Sequence, residues 1–265
     1  MQGKSEMIVA IHQPQFIAWL GYFDKIDQSD ICIFLDNVQY KKNEYQNRNK
    51  IKTVNGWQWL TVPVLYRFPQ NINEVKINNK IDWKKKHLHA LITNYSRAKY
   101  FERYFGYFRE LYSEEWEYIS DINIEVTRRL AEFLGIKRKF LVASELTPPL
   151  SSPYLRGGLR RGYLNGETGG LEDEPTERLI RLCKSTGADI YMAGKDGAKY
   201  MDMDMFLKSG IRLVFQKFEH PIYNQLFGKF EQNMSVIDLI FNYGEESIRI
   251  IRSTRSQVTS APVYR

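Results

Sequence analysis

Residues 8–49 read IVAIHQPQFIAWLGYFDKIDQSDICIFLDNVQYKKNEYQNRN, and this stretch decides the fold of the chain. The apolar run Ile8–Ile11 is too short and too rich in β-branched residues for a helix, so it predicts a buried strand. Large apolar residues then recur every three or four positions over residues 18–26, which predicts an amphipathic helix. A second strand is predicted over residues 31–35. Strand, helix and strand within about thirty residues predict a βαβ unit with a parallel sheet and a right-handed crossover.

Two polar clusters follow the predicted strands directly, at residues 12–15 (HQPQ) and 36–39 (DNVQ). Ligands of an open parallel sheet bind outside the carboxyl ends of its strands. Both clusters are therefore predicted to face one crevice.

The composition is that of an ordinary globular protein that interacts with anionic partners. The chain has 265 residues, of which 43% are hydrophobic and 26% charged, and its net charge is +7. Such a charge favours nucleotides, phosphosugars, nucleic acid or an anionic membrane surface as partners, without choosing among them. Apolar runs long enough for a membrane span are absent, and so is a signal-like segment at the N-terminus. A cytoplasmic protein with no integral membrane segment is expected.

Cysteine usage points to a reducing compartment. Cys32 falls in a predicted strand and Cys183 in a predicted helix, which is typical of buried thiols and not of a disulfide framework. No Cys/His spacing resembles a zinc site, so no metal site is predicted.

The rest of the chain adds a hairpin, a helical insertion and further strands. Asn55-Gly56 predicts a β-hairpin turn, because the favoured two-residue turn has positive φ at both positions. Residues 82–135 are predicted as a helical insertion. The glycine- and arginine-rich segment 151–174 is predicted as a flexible loop, which either closes over an anionic substrate or is an idle surface excursion. Additional strands are predicted near residues 139–143, 188–193 and 211–215.

These elements together predict an α/β fold, a Rossmann-like parallel sheet core with an inserted β-hairpin and a helical segment. One domain is predicted over residues 1–252, because no linker divides the chain. Residues 253–265 are polar and are predicted to form a disordered tail.

Three residues are candidates for catalysis. His12 stands at a predicted strand end and is interpreted as a general base or a phosphate contact, with a hydrogen-bonded structural histidine as the alternative. Asp36 is expected to orient His12, to bind a sugar hydroxyl or to contact magnesium, although one carboxylate is too few for a metal site. His220 is the second histidine candidate, unless it is only a rigid turn residue held extended by Pro221.

A wider set of residues is expected to bind substrate. Gly194 and Lys195 lie in a loop after a third predicted strand, where backbone amides and an ammonium group can hold phosphate or carboxylate, although the full P-loop spacing is missing. Amide and aromatic side chains suit sugars and nucleotides, and for Asn47 and Asn49 the structural alternative is that they only satisfy loop backbone groups. The predicted substrate-binding residues are Gln13, Gln15, Trp19, Tyr22, Gln39, Tyr40, Asn47, Arg48, Asn49, Trp59, Gly194, Lys195, Tyr200, Tyr223 and Gln225.

Several of these residues lie in motifs that resemble the WbqC-like protein family, and the resemblance covers most of residues 8–251. The motifs are HQPQF (12–16), WLGYFDKI (19–26), LDNVQY (35–40), QNRN (46–49), WLTVP (59–63), HPIYNQ (220–225) and NMSVIDLIFN (233–242). Such proteins are similar to ones encoded in O-antigen and related polysaccharide clusters. The resemblance implies a glycine transferase that acylates an amino sugar.

The strand, histidine loop, helix and strand also resemble the layout of pantothenate synthetase and other nucleotidyl transferases. In that group, histidines after the first strand bind ATP phosphates. The loop here reads HQPQ, so the second histidine of the signature is absent after His12. This departure argues against adenylate chemistry.

The functional hypothesis is a transferase that attaches an aminoacyl (glycyl) or acyl group to a nucleotide-linked or lipid-linked amino sugar. The alternatives are an ATP-dependent nucleotidyl transferase or ligase, and a non-catalytic nucleotide- or sugar-binding accessory protein. The cofactor stays open between ATP with magnesium and an acyl-carrier donor. A small-molecule substrate is the expected partner, nucleic acid is not favoured, and the oligomeric state is open, a homo-oligomer included.

Overall fold

The computed structural model describes residues 5–146, 174–199 and 201–255. The predicted flexible loop therefore lies outside the described residues except for its last residue, and so do Tyr200 and residues 256–265.

Nine strands occur in the described parts of the chain. They are β1 (Ile8–His12), β2 (Ile31–Phe34), β3 (Arg48–Thr53), β4 (Gly56–Thr61), β5 (Val64–Leu65), β6 (Lys76–Ile77), β7 (Lys139–Val142), β8 (Ile190–Ala193) and β9 (Arg212–Phe215). Five of them form a parallel sheet in the order β7-β2-β1-β8-β9.

Helices surround the sheet and follow the hairpin. They are α1 (Leu20–Asp27), α2 (Trp83–Tyr95), α3 (Phe101–Ser113), α4 (Ile119–Phe133), α5 (Ala143–Leu146), α6 (Pro175–Thr186), α7 (Met203–Ser209), α8 (Val236–Tyr243) and α9 (Ser247–Arg252), with short 3-10 helices at Ile72–Glu74, Gly197–Lys199 and Gly244–Glu246. The predicted α/β fold with a Rossmann-like parallel sheet, an inserted hairpin and a helical segment is confirmed. None of these helices is both as long and as apolar as a bilayer span requires.

The sheet is buried on both faces, as expected of a parallel sheet. Side chains alternate between faces along a strand, so Ile31 and Ile33 of β2 enter one apolar cluster, which includes Leu182 of α6. Cys32 points to the opposite face and enters the larger cluster around Phe23 of α1. Because both faces are packed, space for a ligand remains at the edge of the sheet where the strands end.

The sheet opens at its carboxyl edge between β1 and β8. β1 pairs with β2 as far as His12, whereas it pairs with β8 only as far as Ala10. The strand order also reverses here, because the chain proceeds from β1 to β2 on one side and reaches β8 on the other. Ligands of open α/β sheets bind in the crevice at such a reversal.

The hairpin turn differs by one residue from the prediction. Thr53 pairs with Gly56, so the two turn residues are Val54 and Asn55, and Gly56 begins β4. Gly56 has a φ of +111°, which glycine adopts without steric cost. The Asn55-Gly56 signal marked the right hairpin but not the residues of its turn.

The end of the described chain is bound to α1 by ion pairs with two buried carboxylates. Arg255 donates to the carboxylates of Asp24 and Asp27, at 2.7 and 2.6 Å, and Arg252 donates to Asp27 at 2.7 Å. Burial raises the pKa of Asp27, but the hydrogen bonds from Arg252 and Arg255 outweigh burial and leave it below its ordinary value. Residues 253–255, the start of the predicted tail, therefore support the helix that follows β1.

We expect Arg255→Ala to lower the free energy of unfolding by about 1.5–3 kcal/mol, because it removes charge-assisted hydrogen bonds from buried carboxylates. Arg249→Ala is the matched control, since Arg249 pairs with Glu246 on the surface and such pairs contribute under about 1 kcal/mol. Urea unfolding at neutral pH measures both, and equal losses would contradict the expectation.

The low pKa of Asp27 also predicts a pH dependence. Stability from a carboxyl with a depressed folded-state pKa is present above the unfolded value of about 3.9 and is lost as the pH falls through the folded value. Arg255→Ala is expected to lose less stability than the wild type over this acidic range. Unfolding curves between about pH 5 and 2 measure the difference.

Candidate active site

A cleft of about 630 Å³ occupies the crevice between the ends of β1 and β8. Loops after four strands of the sheet, β1, β2, β8 and β9, contribute to its walls, together with the N-terminal turns of α1 and α6. The predicted site residues that line it are His12, Gln13, Trp19, Tyr22, Gln39, Gly194 and Lys195. The crevice thus brings together residues that are far apart in the sequence.

His12 ends β1 and presents a neutral imidazole in this cleft. Its Nδ1 lies 3.0 Å from the Gln13 carbonyl oxygen, and its ring centroid lies 4.5 Å from that of Tyr22. A carbonyl only accepts, so this hydrogen bond assigns the proton to Nδ1 and leaves the Nε2 lone pair free to accept one. Burial, followed by the nearby charge of Lys25, lowers the pKa of His12 to about 3. The ring is therefore neutral at physiological pH.

Lys25 is a cleft residue that the sequence did not reveal. It lies on α1, is 3% exposed, and its Nζ donates to the Ile11 carbonyl oxygen at 2.9 Å. Burial lowers its pKa to about 8, although the Cys32 thiol opposes the shift. No carboxylate of the described residues pairs with this ammonium group.

The cleft has a basic lining. Among the described residues, Lys25, Lys41, Arg178 and Lys195 line it, against one carboxylate, that of Asp196. Lys199 lies 2.6 Å from that carboxylate, and this hydrogen bond lowers the pKa of Asp196. An anionic ligand is favoured by this excess of positive charge.

Trp19 forms an aromatic wall whose position depends on Gly21. The indole of Trp19 meets Phe218 edge-to-face at 5.4 Å. A Cβ atom at Gly21 would lie 2.3 Å from the Trp19 ring, so only glycine permits this packing. Gln216 fixes the same turn of α1, because its Nε2 donates to the Gly21 carbonyl oxygen at 2.8 Å and to Asp24 at 2.6 Å.

The interpretation of Asp36 as the residue that orients His12 requires correction. Asp36 accepts hydrogen bonds from the backbone N–H and the hydroxyl of Ser144, at 2.9 and 2.6 Å. It lines a separate cavity of about 390 Å³ that also holds Asp121 and Arg128. The reason is local: side chains after β2 alternate in direction, so Leu35 faces the His12 cleft and Asp36 does not.

His220, Tyr223 and Gln225 are also placed away from the His12 cleft. The Nδ1 of His220 binds the Pro221 carbonyl oxygen at 2.8 Å, and its Nε2 accepts from the Asn233 backbone N–H at 3.2 Å. Tyr223 and Gln225 each donate to the buried carboxylate of Asp238 at 2.9 Å. Their polar groups hold the segment before α8. This favours the structural alternative for His220 and gives Tyr223 and Gln225 a structural role.

The predicted amide and aromatic residues between β2 and β4 mostly satisfy the backbone. Asn47 donates to the Val62 carbonyl oxygen and Asn49 to the carbonyl oxygens of Phe16 and Ile17. The Arg48 guanidinium stacks at 4.4 Å over Trp59. These contacts build the hairpin and its loop, not the cleft.

Tyr40 is buried, whereas Gln15, which follows β1, is partly exposed. Tyr40 is 2% exposed and packs on Tyr66, with ring centroids 4.9 Å apart. The Oε1 of Gln15 is buried without a hydrogen-bond partner among the described residues. Neither residue lines the cleft.

Sequence reasoning missed Lys25, Lys41, Arg178, Gln216 and Phe218 as cleft residues. Lys25 had one usable signal, because it lies on the predicted helix directly after the histidine loop and within one of the quoted motifs. The other four come from elements whose position relative to β1 only the tertiary structure specifies.

Comparisons with known proteins found one matching family model and one relative. A family model described as the WbqC-like protein family matches residues 13–250. The uncharacterized protein Rv1507c of Mycobacterium tuberculosis is 35% identical over 251 residues, which are 93% of this chain and 98% of that protein. A comparison with solved structures found no match.

We expect the His12 ring to remain neutral from about pH 5 to pH 8, because its folded-state pKa lies below this range. Histidine NMR spectra recorded against pH measure this, with His12→Gln as the control that assigns the resonance. In Lys25→Met the titration midpoint is expected to rise, since one of the two causes of the low pKa is removed. A wild-type midpoint near 6.5 would contradict the assignment.

Proposed function

The chain belongs to the WbqC-like protein family, and we propose that it is a transferase that attaches an aminoacyl (glycyl) or acyl group to the amine of a phosphate-linked amino sugar. The observation that carries the proposal is the pairing, in one cleft, of a neutral His12 with an excess of basic side chains. Nucleotide-linked and lipid-linked sugars share the phosphate that such a lining attracts.

The cleft has the size and surface for a ligand of this class. Its volume of about 630 Å³ falls within the range of small-molecule sites. Trp19 and Phe218 offer an apolar wall for a sugar or base, while Gln13 and Gln39 offer amide groups for hydroxyls.

In the proposed reaction the sugar amine attacks the acyl carbonyl and a C–N bond forms. Nε2 of His12 accepts the proton that the amine loses, and this proton then passes to the leaving group as its bond to the acyl carbon breaks. Lys195 binds the phosphate and holds the sugar near His12. Tyr22, whose hydroxyl donates to the Gln13 carbonyl oxygen at 3.2 Å, fixes the loop that carries the base.

One observation supports a second candidate, an ATP-dependent nucleotidyl transferase or ligase. His12 and the N-terminus of α1 lie on the same side of the crevice, an arrangement that also suits the phosphates of ATP. The binding experiment below separates the two candidates, and ligand binding without product formation would indicate a non-catalytic accessory protein.

We expect UDP- or dTDP-linked amino sugars to raise the melting temperature more than ATP or glycine at equal concentration. A ligand at a hundredfold excess over its dissociation constant stabilises the folded state by about 2.7 kcal/mol. Thermal-shift assays with and without magnesium measure this, and Lys195→Met should weaken the effect. A shift with ATP alone would favour the second candidate instead.

We expect His12→Gln to lower the rate of acyl transfer at least about a hundredfold, because general-base catalysis contributes that much or more. His220→Gln is the matched control, since His220 binds only backbone groups in the structure and its replacement should leave the rate nearly unchanged. Product formation from a phosphate-linked amino sugar, followed by mass spectrometry, measures both rates. Full activity of His12→Gln would remove the base assignment.

A further inference from the structure

The Ile11 carbonyl oxygen is a backbone acceptor of β1 that receives no hydrogen bond within the sheet. The His12 carbonyl oxygen accepts from the Leu35 N–H at 2.8 Å, so it points toward β2. Ile11 is one residue earlier, and its carbonyl therefore points the opposite way, toward β8. β8 does not pair there, because its ladder with β1 ends at Ala10. The ammonium group of Lys25 donates a hydrogen bond to this carbonyl oxygen at 2.9 Å.

Lys25 thereby places a buried positive charge in the floor of the crevice without a counterion among the described residues. A buried charge is costly unless it is paired. The titratable groups that interact with its charge, His12 and Cys32, are neutral, because burial lowers the pKa of His12 to about 3 and raises that of Cys32 to about 12. The single hydrogen bond to Ile11 satisfies one of the three ammonium donors.

The first turn of α1 faces the same space. Trp19, Gly21 and Tyr22 line the cleft, and Trp19 at the N-cap position provides no side-chain cap for the helix. The Tyr22 N–H donates to the Trp19 carbonyl oxygen at 3.1 Å. The other N–H groups at the start of a helix lack intrahelical partners, and together with the helix dipole they favour an anion. Lys25 supplies the independent charge that a bare helix terminus would lack.

We propose that Lys25 and the first turn of α1 form an oxyanion subsite in the floor of the cleft, where a phosphate group of the ligand is the counterion of Lys25. Only the identity of the phosphate-bearing ligand rests on the proposed function. The subsite itself follows from the unpaired charge, the diverging strands and the uncapped helix.

Anion binding at this subsite is coupled to protonation of Lys25. A bound anion favours the ammonium form, so a lysine that is partly deprotonated near pH 8 takes up a proton when the anion binds. Other charged or titratable groups around the cleft are Lys41, Arg178, Tyr191, Lys195 and Asp196, and Asp24 beside Lys25 is held by Arg255. Proton uptake must therefore be assigned to Lys25 by substitution.

The test is calorimetric titration of the full chain with sodium sulfate at pH 8, at matched ionic strength, in two buffers of different ionisation enthalpy. Sulfate is the probe because it does not titrate near this pH, so any proton taken up goes to the protein. We expect binding with uptake of up to about half a proton, as a group with a pKa about equal to the pH can gain at most half.

Three variants assign the effect. Lys25→Met should bind sulfate at least about tenfold more weakly and without proton uptake, while its melting temperature checks that it is folded. Lys25→Arg keeps a permanent charge and should bind without uptake. Lys195→Met, on the exposed wall of the same cleft, should weaken binding but retain the uptake.

Two results would overturn the subsite. One is that the wild type does not bind sulfate at concentrations up to about 50 mM, because a weaker interaction has no useful affinity. The other is unchanged affinity and uptake in Lys25→Met. Neither result depends on acyl transfer, so the subsite and the proposed function are tested separately. If sulfate binds through Lys25 but no sugar is acylated, the subsite is supported and the transferase proposal is wrong.

Discussion

The structure depends on the position of β1, which lies between β2 and β8 in the parallel sheet. Parallel ladders with β2 and β8 bury β1 on both edges, but the β8 ladder ends two residues earlier. Strands that diverge leave backbone groups and space that the sheet does not fill. The cleft is the consequence of this early ending, because the crevice opens where the ladder stops.

The charges in this crevice act on one another. Burial and Lys25 together keep His12 neutral, and a neutral His12 neither repels Lys25 nor serves as its counterion. An anion bound beside Lys25 would offset its charge and thereby raise the basicity of His12. Under the proposed function, substrate binding and activation of the base are then one electrostatic event.

The support for this site comes from far along the chain. Gln216 and Arg255 both reach Asp24, so β9 and the end of the described chain fix the helix that carries Trp19 and Lys25. A buried carboxylate held by partners from distant elements resists rotation of that helix. The cleft is thus built from a short N-terminal stretch and held by C-terminal residues.

The sequence by itself determined the strand, histidine loop, helix and strand, and it placed His12 at a sheet edge, because hydrophobic periodicity and strand ends are local properties. It did not determine that the Asp36 side chain points away from the His12 cleft and binds Ser144. Successive side chains point in opposite directions, so a shift of one residue in the end of a strand reverses the direction of a given side chain. Nor did it identify Lys25 as buried or Arg178 as a cleft residue. Those facts depend on which strands pair and on the residue at which each ladder ends. Both are long-range properties that only the tertiary structure decides.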